Sequence, residues 1–114
     1  MPSFKQGDVV RVPFPYTDRA TRQRRPALVV SHGGVGEDGR LLWVAMITSV
    51  ENRAWADDAS FGELYREAGL PAPSVVRPSK LATIEASRAE PIGSVPAGLL
   101  EAIMATIRGY LGAA

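Results

Sequence analysis

The sequence predicts a mostly β protein: a small, strongly bent antiparallel sheet closed by one C-terminal α-helix. Three observations lead to this fold class. Two strand-like runs flank an arginine-rich loop near the start, several short extended runs follow, and the last part of the chain repeats apolar residues at helical spacing. Such a helix suits a small sheet, which needs a cover for its apolar face.

The first two predicted strands are Asp8 to Pro13 and Pro26 to Ser31. The loop that we place between them carries Arg19, Arg22, Arg24 and Arg25. Pro26 biases the residue before it toward extended backbone and cannot donate a ladder hydrogen bond, so Arg25 is expected at the mouth of a strand. The uninterrupted apolar run from Ala27 to Val30 predicts a central strand buried on both faces.

A glycine-rich turn from His32 to Gly39 leads to a third predicted strand, Leu41 to Val50. Between residues 52 and 70, apolar residues recur at helical spacing ahead of Gly69, which predicts a short helix or a turn. Those apolar residues are Phe61, Leu64, Tyr65 and Ala68.

Three further short strands are expected after that region. They are Ser74 to Arg77, closed by Pro78, then Lys80 to Ile84, then Glu90 to Val95, with a turn through Ser87 between the last two. The final helix is predicted from one apolar stripe: Leu99, Leu100, Ile103, Met104, Ile107 and Leu111.

The ends of this helix also carry signals. Ser94 is the expected N-cap, with Pro96 in the first turn, and Gly112 is the expected stop. We expect the stripe to be core rather than a membrane or cofactor surface.

The 114 residues predict one domain, residues 1–114, large enough for a core of its own. No cysteine is present, which excludes a disulfide scaffold and a thiolate zinc site. Without a signal-like start or a long apolar run, the sequence predicts a cytoplasmic protein. The net charge is only +1, but positive charge gathers between Arg19 and Arg25, which fits either a basic face or a solvated loop.

A single histidine, His32, limits the possible chemistry. It follows a buried strand and enters a glycine turn, so a structural or solvent role is favoured. Ser-His-Asp and metal-triad sites therefore lose support, and the acidic pairs fall in polar turns where a solvated role is the default.

Arginine and hydroxyl groups remain as candidates: Arg25, Thr48, Ser49 and Arg77. Antiparallel pairing of the second and third strands would bring Thr48 beside Arg25, because one strand starts where the other ends. A guanidinium binds phosphate through two parallel hydrogen bonds, and a hydroxyl adds a donor to the same oxygens. The alternative is that threonine is simply a strand former and the arginine simply exposed.

Five segments in order resemble the MazF/PemK family, the toxins of bacterial type II toxin–antitoxin modules. They are GDVVRVPFPYTD, RRPALVVS, LLWVAMITS, GLPAPSVVRPSKLATIE, and IGSV with the helix after it. The resemblance implies an SH3-like barrel of the kind shared with CcdB, a homodimer and a cognate antitoxin partner. It also implies endoribonuclease activity on single-stranded RNA, without a metal or cofactor, that leaves 2′,3′-cyclic phosphate and 5′-hydroxyl ends.

By this resemblance the catalytic residues are Arg25, Thr48 and Arg77. The PemK-like branch has an aspartate two residues after the last of these, where this chain has Ser79. The general base is therefore not assigned by the resemblance. The residues expected to contact RNA are Tyr16, Arg19, Arg22, Arg24 and Ser49, with Phe14 and Trp55 as further aromatic surfaces for unstacked bases.

A second hypothesis keeps the barrel and removes the catalysis. The related CcdB family binds and poisons a protein target, DNA gyrase, and the missing acid at Ser79 favours such a reading. A poison of that kind has no need of Arg25 and Thr48 together, so these two residues discriminate between the hypotheses.

Overall fold

In a computed structural model that describes residues 3–13 and 24–113, six strands form one antiparallel sheet. The strands are β1 (Asp8–Pro13), β2 (Arg24–Val29), β3 (Leu41–Ser49), β4 (Ala59–Ser60), β5 (Ser74–Glu85) and β6 (Glu90–Ser94). Their order across the sheet is β4-β5-β3-β2-β1-β6. One helix follows, α1 (Ala97–Tyr110). The predicted fold class is confirmed.

Strand β2 is the central strand that its apolar run predicts. Ala27, Leu28 and Val29 are completely buried. The strand begins earlier than predicted, however, because Arg25 pairs with Val12 and Arg24 pairs with Pro13. These two arginines therefore belong to the strand and not to the loop, since the extended backbone that Pro26 imposes on its neighbour continues the ladder.

Strand β5 corrects a second prediction. Ser74–Glu85 is one strand of 12 residues, where the sequence suggested two strands separated at Pro78. The pairing with β3 jumps from Leu81 opposite Ala45 to Arg77 opposite Met46. Pro78 lies within this bulge, where a residue without an N–H group removes no ladder hydrogen bond.

The sheet buries apolar side chains on both faces, because alternate residues along each strand point to opposite sides. The face that we name the helix face packs against Ile103 and Ile107 of α1. Its sheet residues are Val9, Leu28, Ala45, Ile47 and Val76. The other face, which we name the opposite face, carries a second cluster of Val10, Val12, Ala27, Val29, Leu42, Val44, Met46, Ala82 and Ile84.

The region from 59 to 70 forms strand β4 and a single 3-10 turn, Gly62–Tyr65, in place of a longer helix. Further single 3-10 turns lie at Glu37–Gly39 and Ala86–Arg88. The segment then packs against β6 so closely that a Cβ on Gly93 would lie 2.2 Å from the carbonyl oxygen of Ala68. Glycine is required there because the two backbones touch.

The ends of α1 differ in part from the prediction. The N-cap is Pro96, and Ser94 makes no cap because it pairs with Asp8 in the β1–β6 ladder. Leu111 is 75% exposed and lies outside the core, since the helix has ended at Tyr110. The expected stop is confirmed: Gly112 has a φ of 81° and Ala113 N–H donates to the carbonyl of Arg108. None of the helices in the described ranges is long and apolar enough to cross a membrane.

Candidate active site

The three predicted catalytic residues lie on one face of the sheet. Arg25 is two residues from Ala27 along β2, and Thr48 is two residues from Met46 along β3. Arg77 pairs directly with Met46. Residues two apart in a strand, and residues directly opposite in a ladder, share a face. All three side chains therefore lie on the opposite face, on three adjacent strands.

The strand register also sets them at the same end of the sheet. The ladder between β2 and β3 ends where Ala27 pairs with Met46. Continuing this register by two residues sets Arg25 opposite Thr48, the juxtaposition that we expected from the sequence. Arg77 follows on β5, two ladder positions from Val75, the partner of Thr48.

Arg25 has a buried donor. Its side chain is half-buried, and among the described residues its Nε has no hydrogen-bond partner. An unsatisfied buried donor costs about 1–3 kcal/mol, which a ligand acceptor would recover. This geometry suits an anion bound in front of the guanidinium.

The Thr48 hydroxyl is already held from one side. Thr48 is only 9% exposed, and the Asn52 side-chain amide donates from Nδ2 to its Oγ1 at 2.6 Å. A hydroxyl has one proton and two lone pairs, so this contact occupies a lone pair and leaves the proton of Thr48 free to be donated. Thr48 can therefore act as a donor toward an anion.

Arg77 is 7% exposed and lies in a cage of loop residues. Its Nε donates to Asp58 Oδ1 at 3.3 Å, and its Nη2 donates to the carbonyl of Arg53. The indole of Trp55 lies against the guanidinium, with 4.4 Å between the Arg77 Cζ and the ring centroid. The same Asp58 accepts from the Trp55 backbone N–H at 2.9 Å through Oδ2.

Sequence reasoning missed Asn52 and Asp58. Both lie in an irregular connection without periodicity, and the Asp57-Asp58 pair resembles a solvated turn. The side chain of Asp58 is in fact only 10% exposed. The available signal was weak: a carboxylate pair in the irregular stretch that follows β3.

Two predicted RNA contacts lie apart from this cluster. Ser49 points to the helix face, where its hydroxyl accepts from the Glu51 N–H at 3.1 Å. Arg24 pairs with Glu90 at 3.2 Å, and its other terminal nitrogen donates to the carbonyl of Arg88. The remaining predicted contacts, Tyr16, Arg19 and Arg22, lie outside the described residues together with Phe14.

A surface pocket of about 480 Å³ lies beside the Arg77 cage. It is lined by Arg53, Ala54, Trp55, Ala56, Asp57, Ser79 and Tyr110. At its rim the Tyr110 hydroxyl donates to Asp57 Oδ2 at 2.7 Å, and this hydrogen bond is the main reason why the pKa of Tyr110 is raised above 10.0. Within residues 3–13 and 24–113, no three His, Asp or Glu side chains are grouped so as to hold a metal ion.

The fold and this cluster define a class of protein: a small β-sheet domain with arginine and hydroxyl side chains gathered on one face. The family model described as PemK-like, MazF-like toxin of type II toxin-antitoxin system matches residues 5–111. The chain belongs to this family of toxins. None of the curated protein sequences matches it significantly.

Solved structures share the fold over all or nearly all of the chain. A MazE-MazF crystal structure from Deinococcus radiodurans has a TM-score of 0.75 at 23% identity, covering 100% of both chains. An endoribonuclease in complex with its cognate antitoxin, from a mycobacterial species, has a TM-score of 0.67 at 16% identity, covering 100% of this chain and 98% of that one. The Mycobacterium tuberculosis toxin MazF-mt6 has a TM-score of 0.67 at 20% identity, covering 94% and 98%.

Proposed function

We propose that this protein is a metal-independent endoribonuclease that cleaves single-stranded RNA as the toxin of a type II toxin–antitoxin system. The observation that carries the proposal is the placement of Arg25, Thr48 and Arg77 on one face, at one end of three adjacent strands. Family membership supports the same activity, and one solved structure with this fold is that of an endoribonuclease in complex with its cognate antitoxin.

In the proposed reaction the RNA supplies its own nucleophile. The 2′-hydroxyl oxygen attacks the adjacent phosphorus as it loses its proton, and the bond from phosphorus to the 5′-oxygen breaks. The leaving oxygen gains a proton, so the products are a 2′,3′-cyclic phosphate and a 5′-hydroxyl. DNA lacks the 2′-hydroxyl and is not a substrate.

The protein's part is to stabilise the negative charge that builds up on the phosphate oxygens. Arginine keeps its proton at neutral pH, so we assign Arg25 to electrostatic stabilisation rather than proton transfer. Its buried Nε supports this role, because a phosphate oxygen would satisfy it. The Thr48 hydroxyl donates a hydrogen bond to the same phosphate group. Arg77 adds a fixed positive charge, through the N–H groups that are not bonded to Asp58 or to the Arg53 carbonyl.

The RNA contacts beyond the cleaved phosphate are assigned to the segment that precedes β2. Tyr16 would stack an unpaired base, and Arg19 and Arg22 would follow the phosphate backbone. Arg24 and Ser49 are assigned only peripheral contacts with RNA, because their hydrogen bonds within the protein lie away from Arg25, Thr48 and Arg77.

We also propose a homodimer and a cognate antitoxin, with action in the cytoplasm. The complexes with MazE or with a cognate antitoxin among the structures of this fold support the second of these. Light scattering at micromolar concentration tests the dimer, since a monomeric mass contradicts it. Co-purification with the product of an adjoining gene tests the antitoxin.

The decisive experiment incubates the purified protein with mixed RNA in EDTA and maps the chemistry of the new ends. Cleavage with cyclic-phosphate ends, absent for Arg25→Ala and Thr48→Val, is the expected result. Equal cleavage by wild type and Arg25→Ala would place the activity elsewhere. Intact RNA with a protein that still arrests growth would instead favour the poisoning of a protein target.

A further inference from the structure

We infer that two residues of the connection between β3 and β4, residues 50–58, are working parts of the site: Asn52 positions Thr48 and Asp58 positions Arg77. We name this segment the 50–58 connection. The inference rests on the proposed ribonuclease function and extends it to two residues that the family resemblance did not assign.

The first step concerns the Thr48 hydroxyl, which could rotate among three staggered positions if it were free. Asn52 donates to its Oγ1 at 2.6 Å, which restricts this rotation. Because the amide occupies one lone pair, the Thr48 proton points away from Asn52. A hydroxyl that accepts one hydrogen bond also becomes a better donor in the next, since a chain of hydrogen bonds polarises its members.

The second step concerns the direction of the Arg77 guanidinium. Asp58 takes its Nε, the carbonyl of Arg53 takes its Nη2, and Trp55 covers one side of its plane. A planar guanidinium held at an edge and on a face has little freedom left. Its unused N–H groups then have a fixed direction, which is the condition for electrostatic stabilisation without reorganisation.

The third step concerns the origin of the carboxylate. Ser79 occupies the place where the PemK-like branch has an aspartate, and it lines the neighbouring pocket. Asp58 comes from a different element and reaches Arg77 with a side chain that is 10% exposed. Asp58 therefore supplies Arg77 with the acidic neighbour that position 79 lacks.

The contacts end on the two site side chains, and this distinguishes the connection from an ordinary turn. A turn needs only local bonds, such as the one from the Trp55 N–H to Asp58 Oδ2 at 2.9 Å. The side chains of Asn52 and Asp58 instead reach Thr48 and Arg77, on two different strands. A loop with no part in the site has no reason to join both.

The test for Asp58 compares Asp58→Asn, Asp58→Glu and the matched control Asp57→Asn in steady-state cleavage of one fluorogenic RNA. Asp58→Asn should lower kcat by about 10- to 100-fold with KM changed by less than about 3-fold, because misdirected groups slow the chemical step. Asp58→Glu keeps the charge and should recover part of kcat. Asp57→Asn removes an adjacent charge that bonds to Tyr110 and should behave as wild type.

The test for Asn52 uses a double-mutant cycle with Thr48→Val. As a single change, Asn52→Ala should lower kcat. In the Thr48→Val background the same change should alter kcat by less than about 2-fold, because the effect of Asn52 passes through the Thr48 hydroxyl. Asn52→Asp should be worse than Asn52→Ala, since a carboxylate would accept the Thr48 proton and repel phosphate. Asn52 is exposed, so folding should tolerate both changes. The control Glu51→Gln should match wild type.

The outcomes separate the inference from the proposed function. Wild type that cleaves RNA, with Asp58→Asn and Asn52→Ala equally fast, would overturn the inference and leave the function standing. Wild type that cleaves nothing would overturn both. If Asp58→Asn does not fold, Asp58→Glu and the double-mutant cycle of Asn52 with Thr48 decide. Losses of kcat that add in the cycle, or an Asp58→Glu variant that changes only KM, would contradict a positioning role.

Discussion

Arg77 and Asp58 form an ion pair that lies almost entirely out of water. The Arg77 Nε is 3.3 Å from the Asp58 Oδ1, and the two side chains are 8% and 10% exposed. The attraction in such a pair roughly offsets the cost of removing both charges from water, but a single buried charge left behind is strongly unfavourable. The pair joins β5 to the 50–58 connection and couples the stability of the fold to the candidate site.

Removing one partner of this pair should destabilise the protein more than removing both. We expect Arg77→Met to lower the free energy of unfolding by about 3–5 kcal/mol, because the Asp58 charge stays buried without the opposite charge of Arg77. The double variant with Asp58→Asn should recover part of that loss. Urea unfolding, monitored by circular dichroism, measures the free energy of unfolding of the single and the double variants. A double variant that loses the sum of the two single losses would show that the residues do not interact.

The contribution of the Thr48 hydroxyl can be tested separately from that of the side chain's shape. Thr48→Val keeps the β-branched side chain in the strand and removes the donor, so we expect kcat to fall by about 10²- to 10³-fold, as for loss of one oxyanion donor. Thr48→Ser keeps the donor and should stay within about 10-fold of wild type. Single-turnover cleavage measures these rates. Equal activity of the valine variant would remove Thr48 from the reaction.

Gly93 tests the contact between β6 and the segment before it. Its Cβ would lie 2.2 Å from the Ala68 carbonyl oxygen, so Gly93→Ala should lower the free energy of unfolding by about 1–3 kcal/mol through overpacking. Gly98 in α1 has nothing within 4 Å of an added Cβ and serves as the control. Gly98→Ala should raise stability by about 0.5–1 kcal/mol, since alanine favours helix. Equal effects in thermal melts would contradict the close contact.

Tyr110 gives a pH-dependent signal. Its pKa is raised above 10.0, mainly because the neutral hydroxyl donates to Asp57. The folded state holds this proton more tightly than the unfolded state, so the contribution to stability is complete below pH 10.0 and is lost as the pH rises through the folded pKa. Ultraviolet titration should show Tyr110 ionising later than a free tyrosine, and Asp57→Asn should bring it back toward 10.0. An unchanged titration in that variant would contradict the assignment.

Much of the fold was predictable because local patterns and long-range packing agree. The apolar run Ala27 to Val30 predicts a strand buried on both faces, and the stripe around Ile103 predicts the covering helix. Continuing the β2–β3 register sets Thr48 opposite Arg25, in agreement with the rule that antiparallel neighbours start and end at opposite points. These three features depend on spacing along the chain alone.

Other features were not predictable from spacing. The bulge that carries β5 past Pro78 depends on the register against β3. From the sequence alone, the extended runs on either side of Pro78 predict two separate strands, whereas the structure has one. Ser94 has the chemistry of an N-cap, but its pairing with Asp8 commits it to β6. In both cases a long-range ladder overrode a local preference, because several tertiary hydrogen bonds outweigh one cap or one break.

The sequence by itself determined the class of fold, the buried strand that begins beside Arg25 and the presence of a hydroxyl at the end of the next strand. Only the tertiary structure decided what surrounds these groups. Asn52 and Asp58 lie in a connection with no periodic pattern, and their contacts with Thr48 and Arg77 exist because the chain folds back across the sheet. Periodicity reports which face a side chain occupies, whereas the partners of a polar side chain depend on where an irregular loop is held in space.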